Sequence, residues 1–237
     1  MIDLLSSPQV WASLVTLTIM EIVLGIDNIV FISVVVSRLP KNIADRARKI
    51  GLALALIFRI LLLFLLSWII GLTAPIAEFA GQSLSWRDAI LLAGGLFLLV
   101  KATHEIHKGI EGDEEDEGMG GAVNSFAAVI AQIVVIDLVF SVDSIITAIG
   151  MAEHVEVMIA AVIIAMAVMY VASGPVADFI KRHPTTKMLA LAFLLLIGVS
   201  LIADGLGFHI PRGYIYFAMA FSAGVEMINI LSRKSLK

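Results

Sequence analysis

The chain has no cysteine among its 237 residues. Disulfides, thiolate metal sites and a cysteine nucleophile are thereby excluded, and soft-metal chemistry loses its usual ligand. Charge is scarce too. Charged side chains make up 15% of the sequence, against about 25% in soluble domains. The net charge of −4 says little, because the charges gather in loops and in one acidic stretch. No basic face forms, which argues against a nucleic-acid partner. Nucleophile elbows, phosphate loops and zinc-protease motifs are also missing, so the chain is not read as an enzyme. The first apolar run lacks the basic start and small-residue cleavage site of a signal peptide and is expected to be retained.

What the chain does have is apolar length. Its composition is 60% hydrophobic and its mean hydropathy is +1.01. Its apolar runs approach the ~20 residues that a helix needs to cross a bilayer. Seven spans are predicted, at roughly 10–36, 50–72, 86–107, 124–150, 155–180, 187–206 and 213–231. The runs are continuous rather than alternating and too long for barrel strands, so they are helices whose backbone groups are satisfied internally. The expected fold is an all-α polytopic membrane protein with the lipid bilayer as its first partner. Pro40, Pro75, Gly81, Pro184 and Pro211 fall between spans, as chain breakers should.

Lysine and arginine placement sets an expected orientation. Arg38, Lys41, Arg46, Arg48 and Lys49 follow span one, Lys181, Arg182 and Lys187 follow span five, and Arg233, Lys234 and Lys237 close the chain. The alternate connections carry only Arg87 and Arg212. This bias puts the N-terminus outside and the C-terminus in the cytoplasm. Between spans three and four, Glu111 to Gly118 is too acidic and glycine-rich to pack and reads as a solvated cytoplasmic linker. The expected division is a first three-helix repeat over 1–110, the linker over 111–123, a second repeat over 124–207, and a seventh helix with a basic tail over 208–237.

The repeat rests on two matching segments. Glu21-Ile22-Val23-Leu24-Gly25-Ile26-Asp27-Asn28 returns, class for class, as Asp137-Leu138-Val139-Phe140-Ser141-Val142-Asp143-Ser144. Each has an acid, five intervening residues, a second acid and a small polar residue. Span one and span four cross in opposite directions, which makes the two units an inverted repeat with a shared site near the midplane. Gly95 and Gly198 can be aligned as a further matching pair.

Ionisable groups in hydrocarbon are functional by default. Glu21 and Asn28 share a helix face, as do Asp137 and Ser144. Asp27 and Asp143 lie about 100° off that face on a regular helix. A helix opened at Gly25, with Ser141 bonding freed carbonyls, would bring all four acids to one ion. Carboxylates, an amide and a hydroxyl are hard oxygen donors suited to magnesium, calcium or manganese. The candidate metal ligands are therefore Glu21, Asp27, Asn28, Asp137, Asp143 and Ser144.

A plainer reading has the acids pairing with Arg59 and Lys101 and merely holding helices together. Arg59, Lys101 and Glu226 are accordingly candidate gating or charge partners. His104 and His107 are three apart on one face, a spacing open to transition metals. Interfacial decoration explains them more simply. Asp178 and Asp204 are expected at the membrane interfaces.

On Glu21 to Ser33, the following Leu39-Pro40, and Asp137 to Ile145, the chain resembles the TerC family of integral membrane proteins, within it the short bacterial inner-membrane branch. The resemblance implies a multi-pass inner-membrane protein, with several members linked to manganese efflux. It also implies motif acids at Glu21, Asp27, Asp137 and Asp143, with Asn28 and Ser144 beside them. Ile146-Thr147 stands where the tellurite-type members have a proline, which argues against carrying over tellurite resistance. Mn²⁺ as the transported ion is an implication of the resemblance; the residues alone point only to a hard divalent cation. The alternatives are a non-transporting membrane factor, serving protein assembly or metal supply to exported proteins, and an amino-acid exporter. A second copy of the chain or another membrane protein is a further candidate partner.

Overall fold

The computed structural model describes residues 7–36, 39–79, 82–111, 121–149 and 154–235. Within these, the side chains of residues 27, 41, 66–67, 77–79, 82–83, 121–125, 147, 149 and 233–235 lie outside the description. The acidic stretch from Gly112 to Gly120, expected as a linker, also lies outside the described residues.

The order is α1 (Pro8–Val36), α2 (Lys41–Phe64), a short α3 (Leu66–Gly71), a hairpin of β1 (Pro75–Phe79) and β2 (Gln82–Ser85), then α4 (Trp86–Glu111), α5 (Gly121–Ile149), α6 (Val155–Arg182), α7 (Pro184–Gly205) and α8 (Arg212–Ser235). Six of these helices are long and apolar enough to cross a membrane: α1, α4, α5, α6, α7 and α8. The helix α2 has the length, but Arg48, Lys49 and Arg59 interrupt its apolar sequence.

Two prolines open helices as the sequence suggests, whereas Pro75 begins β1 and Pro175 lies inside α6. Pro40, extended at φ −54° and ψ 144°, precedes α2, and Pro184 opens α7 at its first turn. At the far end of α7, Gly207 adopts φ 81°. Its N–H donates to Asp204 O at 3.0 Å and that of Phe208 to Ala203 O at 2.8 Å. This is a Schellman closure, which needs a residue free to take a left-handed conformation.

Two expectations change. The second span, expected over 50–72, begins earlier at Lys41 and is broken at Leu65 into α2 and α3. Lysine and arginine are good helix formers, so the basic residues after Pro40 continue the helix instead of lying in a loop. The connection Thr73 to Ser85, expected as a turn, contains the antiparallel pair Ala77–Leu84, Glu78–Ser83 and Phe79–Gln82.

One end of the bundle therefore carries the hairpin and the starts of α4 and α8. At the opposite end lie the starts of α2 and α7. Between them α1 packs against α6, α5 against α2, and α4 against α7. Glycine sets the closest approach. A Cβ on Gly95 would lie 2.7 Å from Gly198 O, and one on Gly198 would lie 3.0 Å from Gly95 O. The two backbones touch, as small residues allow between membrane helices. Gly25 likewise lies directly beneath the Met169 sulfur of α6. Helix α8 is peripheral and turns Phe217, 74% exposed, and Tyr214, Phe221 and Ile228 outward. An apolar face of this size on a membrane-length helix suits lipid.

Candidate functional site

The motif helices do not open. α1 is continuous through Gly25 and α5 through Ser141, so the expected break at Gly25 is replaced by a packing contact with Met169. Regular helices then fix the phase. Glu21 and Asn28 point to one side of α1, and Asp137 and Ser141, four apart, to one side of α5.

Arg59 of α2 enters between them. Its Nη1 donates to Glu21 Oε2 at 2.5 Å and its Nη2 to Asp137 Oδ1 at 3.0 Å. Its Nε donates to Ser141 Oγ at 2.9 Å, and that hydroxyl donates onward to Asp137 Oδ2 at 3.2 Å. Asn28 Nδ2 reaches the same Asp137 Oδ1 at 3.1 Å. All five residues are buried, Arg59 at 2% exposure. Two acids thus share one guanidinium, and its planar fork suits that geometry. A single point charge would not align three donors this way.

Asp143 belongs to a second group. Six residues past Asp137, it stands about 9 Å farther along the axis. Its Oδ1 accepts from Arg87 Nη2 at 2.6 Å and its Oδ2 from Arg212 Nη2. The carboxylate is buried while the two arginine side chains are 24% and 29% exposed. These arginines open α4 and α8 beside the hairpin. In sequence they served only to count charge between spans. The signal that identifies them is an acid nearly two turns from one helix end, with an arginine at the same end of two other helices.

The other sequence candidates are dispersed. Ser144 Oγ donates to Ser141 O at 3.3 Å within its own helix. Asp27 is on α1, but its side chain lies outside the described residues. Lys101 Nζ stands 3.7 Å from Glu105 Oε1, one turn away. Glu226 accepts hydrogen bonds from Thr185 and Thr186 at the start of α7. His104 is exposed and His107 pairs with Glu111 at 3.2 Å. Asp204 holds His209 Nδ1 at 3.1 Å beside the α7 terminus. Among the described residues, no three acids or histidines converge as a metal cage.

Two small cavities flank the arginine cluster. One, water-sized, lies toward the hairpin and is lined by Leu17, Glu21, Leu63, Ile145, Ala148, Met158, Ala161 and Val162. The other, also small, lies toward the opposite end and is lined by Ser33, Val36, Ala44, Asp45, Arg48, Ala177, Asp178 and Lys181. Glu21 is the only ionisable group on the first, whereas the second is rich in charge.

The family model described as "Integral membrane protein TerC family" matches residues 6–237. A UPF0053 protein of Haemophilus influenzae is 53% identical over 237 residues, covering 100% of both chains. The inner membrane protein YgdQ of Escherichia coli (strain K12) is 49% identical over 97% of this chain and 96% of its own length. The inner membrane protein YoaE of the same strain is 51% identical over 98% of this chain, which spans 45% of YoaE. No solved structure matches. Because the family match takes in both motif helices and every span between and after them, the chain belongs to the TerC family of integral membrane proteins.

Proposed function

We propose that the protein is a membrane transporter for a hard divalent cation, Mn²⁺ in the first instance. Glu21, Asn28 and Asp137 supply the ligands near the middle of the bundle. One observation carries the reading: Glu21 of α1 and Asp137 of α5 meet at a single guanidinium. Oxygens of this type are what Mn²⁺, Mg²⁺ and Ca²⁺ select. Acids this deep in a lipid-shielded bundle are seldom there for stability alone.

The inverted-repeat organisation belongs to the same proposal. A two-fold that exchanges α1 with α5, α2 with α6 and α4 with α7 converts the α1–α6 contact into the α5–α2 contact. It also sets Gly95 opposite Gly198, the pair that sequence alignment matched and whose backbones touch. Cavities on either side of the arginine cluster are the places where alternating access would open. The hairpin end faces outward in this reading, because the arginines there are already offset by Asp143 while the other end holds the basic excess. Asp143, and Asp27 by its matching position, then stand on the two approaches to the central ligands.

Proteoliposome flux tests the proposal. Mn²⁺ movement should require the protein, and Glu21→Gln and Asp137→Asn should each lower it about tenfold or more, since each removes one of two carboxylate ligands. Full flux in both variants, at equal protein level, would end the metal reading. A second reading, a non-transporting factor for membrane-protein assembly or metal supply, draws on the observation that Glu21, Asp137 and Asp143 all have arginine partners. It requires flux indistinguishable from empty vesicles together with a stably co-purifying membrane protein.

A further inference from the structure

We infer that Arg59 is a tethered competitor for the transported cation, occupying the ion's place whenever the ion is absent. The inference rests on the transport reading above and adds to it a reason for the arginine. The oxygens that Arg59 holds are Glu21 Oε2, Asp137 Oδ1 and Ser141 Oγ. Two of them are the carboxylate atoms through which a divalent ion would be bound. A metal–oxygen distance is about 2.0–2.6 Å for hard divalent ions, and the guanidinium nitrogens stand at 2.5 and 3.0 Å from those same atoms. A metal-bound carboxylate oxygen can still accept a hydrogen bond, but two cationic groups this close repel each other, so ion and guanidinium compete for the space between the two carboxylates.

Charge makes the same point. Glu21 and Asp137 without a cation would leave two negative charges in a region where each is costly to bury. With Arg59 in place the trio carries one net negative charge, the Ser141 hydroxyl donates to Asp137 Oδ2, and the Asn28 amide adds a second donor to Asp137 Oδ1. The ion-free protein thus has half of this buried negative charge neutralised from within. It can return across its cycle with nothing bound, instead of waiting for another ion to accompany it. Leu63, one turn along α2 on the same face, lines the water-sized pocket that also reaches Glu21, so withdrawal of the arginine would have to widen that pocket.

A merely structural arginine makes the opposite prediction for metal affinity. If Arg59 only organises the ligands, its removal should weaken Mn²⁺ binding. If it competes, removal should tighten it. The test uses full-length protein in lipid nanodiscs with Mn²⁺ as the probe, free metal being read by electron paramagnetic resonance. Arg59→Gln should bind Mn²⁺ about tenfold more tightly, the order of change expected when a hydrogen bond between charged groups no longer has to be given up. In proteoliposomes the same variant should lose net Mn²⁺ efflux into metal-free buffer while still exchanging labelled for unlabelled Mn²⁺.

Arg59→Lys covers the case in which Arg59→Gln does not fold. It keeps the charge, but a compact ammonium cannot hold three oxygens in a fork, so Mn²⁺ should bind about threefold more tightly than to wild type. Unchanged or weaker binding in the folded variants overturns the competitor role and leaves transport standing. A wild-type protein that neither binds nor moves Mn²⁺ overturns both.

Discussion

The bundle contains two arginine–carboxylate groups that differ in composition and exposure. In the centre, two acids share one arginine and everything is buried. Beside the hairpin, two arginines share one buried acid, Arg87 also stands 3.7 Å from Asp88, and about a quarter of each arginine side chain meets solvent. Both groups include an acid from the repeated motif, so the same sequence signal has been set to two electrostatic balances. The central group has a surplus of negative charge and is buried away from the surface. The hairpin group balances its charges once Asp88, 3.7 Å from Arg87, is counted, and its arginines reach solvent. A buried pair loses heavily when one member goes, since the survivor is stranded. A partly exposed pair loses little. The central group is therefore the one in which a charge change is felt, whether it comes from a mutation or from an incoming ion.

That contrast can be broken by measurement. Arg59→Ala should have the largest effect, destabilising the protein by about 3–5 kcal/mol because two carboxylates lose their shared partner. Denaturant unfolding in detergent micelles would read it. Arg212→Gln should cost about 1 kcal/mol or less, because Arg87 still holds Asp143 and the lost charge was partly solvated. Equal losses for these two variants would erase the distinction between the groups. Smallest of all, Lys101→Ala should change stability by about 0.5 kcal/mol or less, because its ammonium stands 3.7 Å from Glu105 Oε1, too far for a close hydrogen-bonded ion pair. A loss several times larger, in the same unfolding measurement, would make Lys101 a third essential charge.

Much of this arrangement is legible in the sequence, and the rest is not for identifiable reasons. The twin motifs single out Glu21 and Asp137, and the position of Arg59 deep in an apolar run marks it as their candidate partner. Periodicity alone places Asn28 on the Glu21 face. Asp143 is different. Its partners Arg87 and Arg212 are distant in sequence, and each opens a helix where a basic residue usually marks only topology. Ser141 was expected to bond freed backbone, a role that required a broken helix. With α5 intact, its hydroxyl accepts from Arg59 and donates to Asp137. Gly25 invites the same misreading, since glycine permits both a bend and a close neighbour. Only the presence of Met169 on α6 decides between them. The hairpin escaped notice because its strands are four and five residues long and lack a strong alternating pattern.

The glycine contact between α4 and α7 limits how such a molecule can move. Where Gly95 and Gly198 meet, main chain rests on main chain with no side chain between to deform or roll. Sliding one helix along the other would bring Leu99 or Ile202, each already against the opposing glycine, into the other backbone. Tilting about the touching point avoids that collision. The contact is thus a fulcrum, and a small rotation there would be magnified into opposite displacements at the two membrane faces.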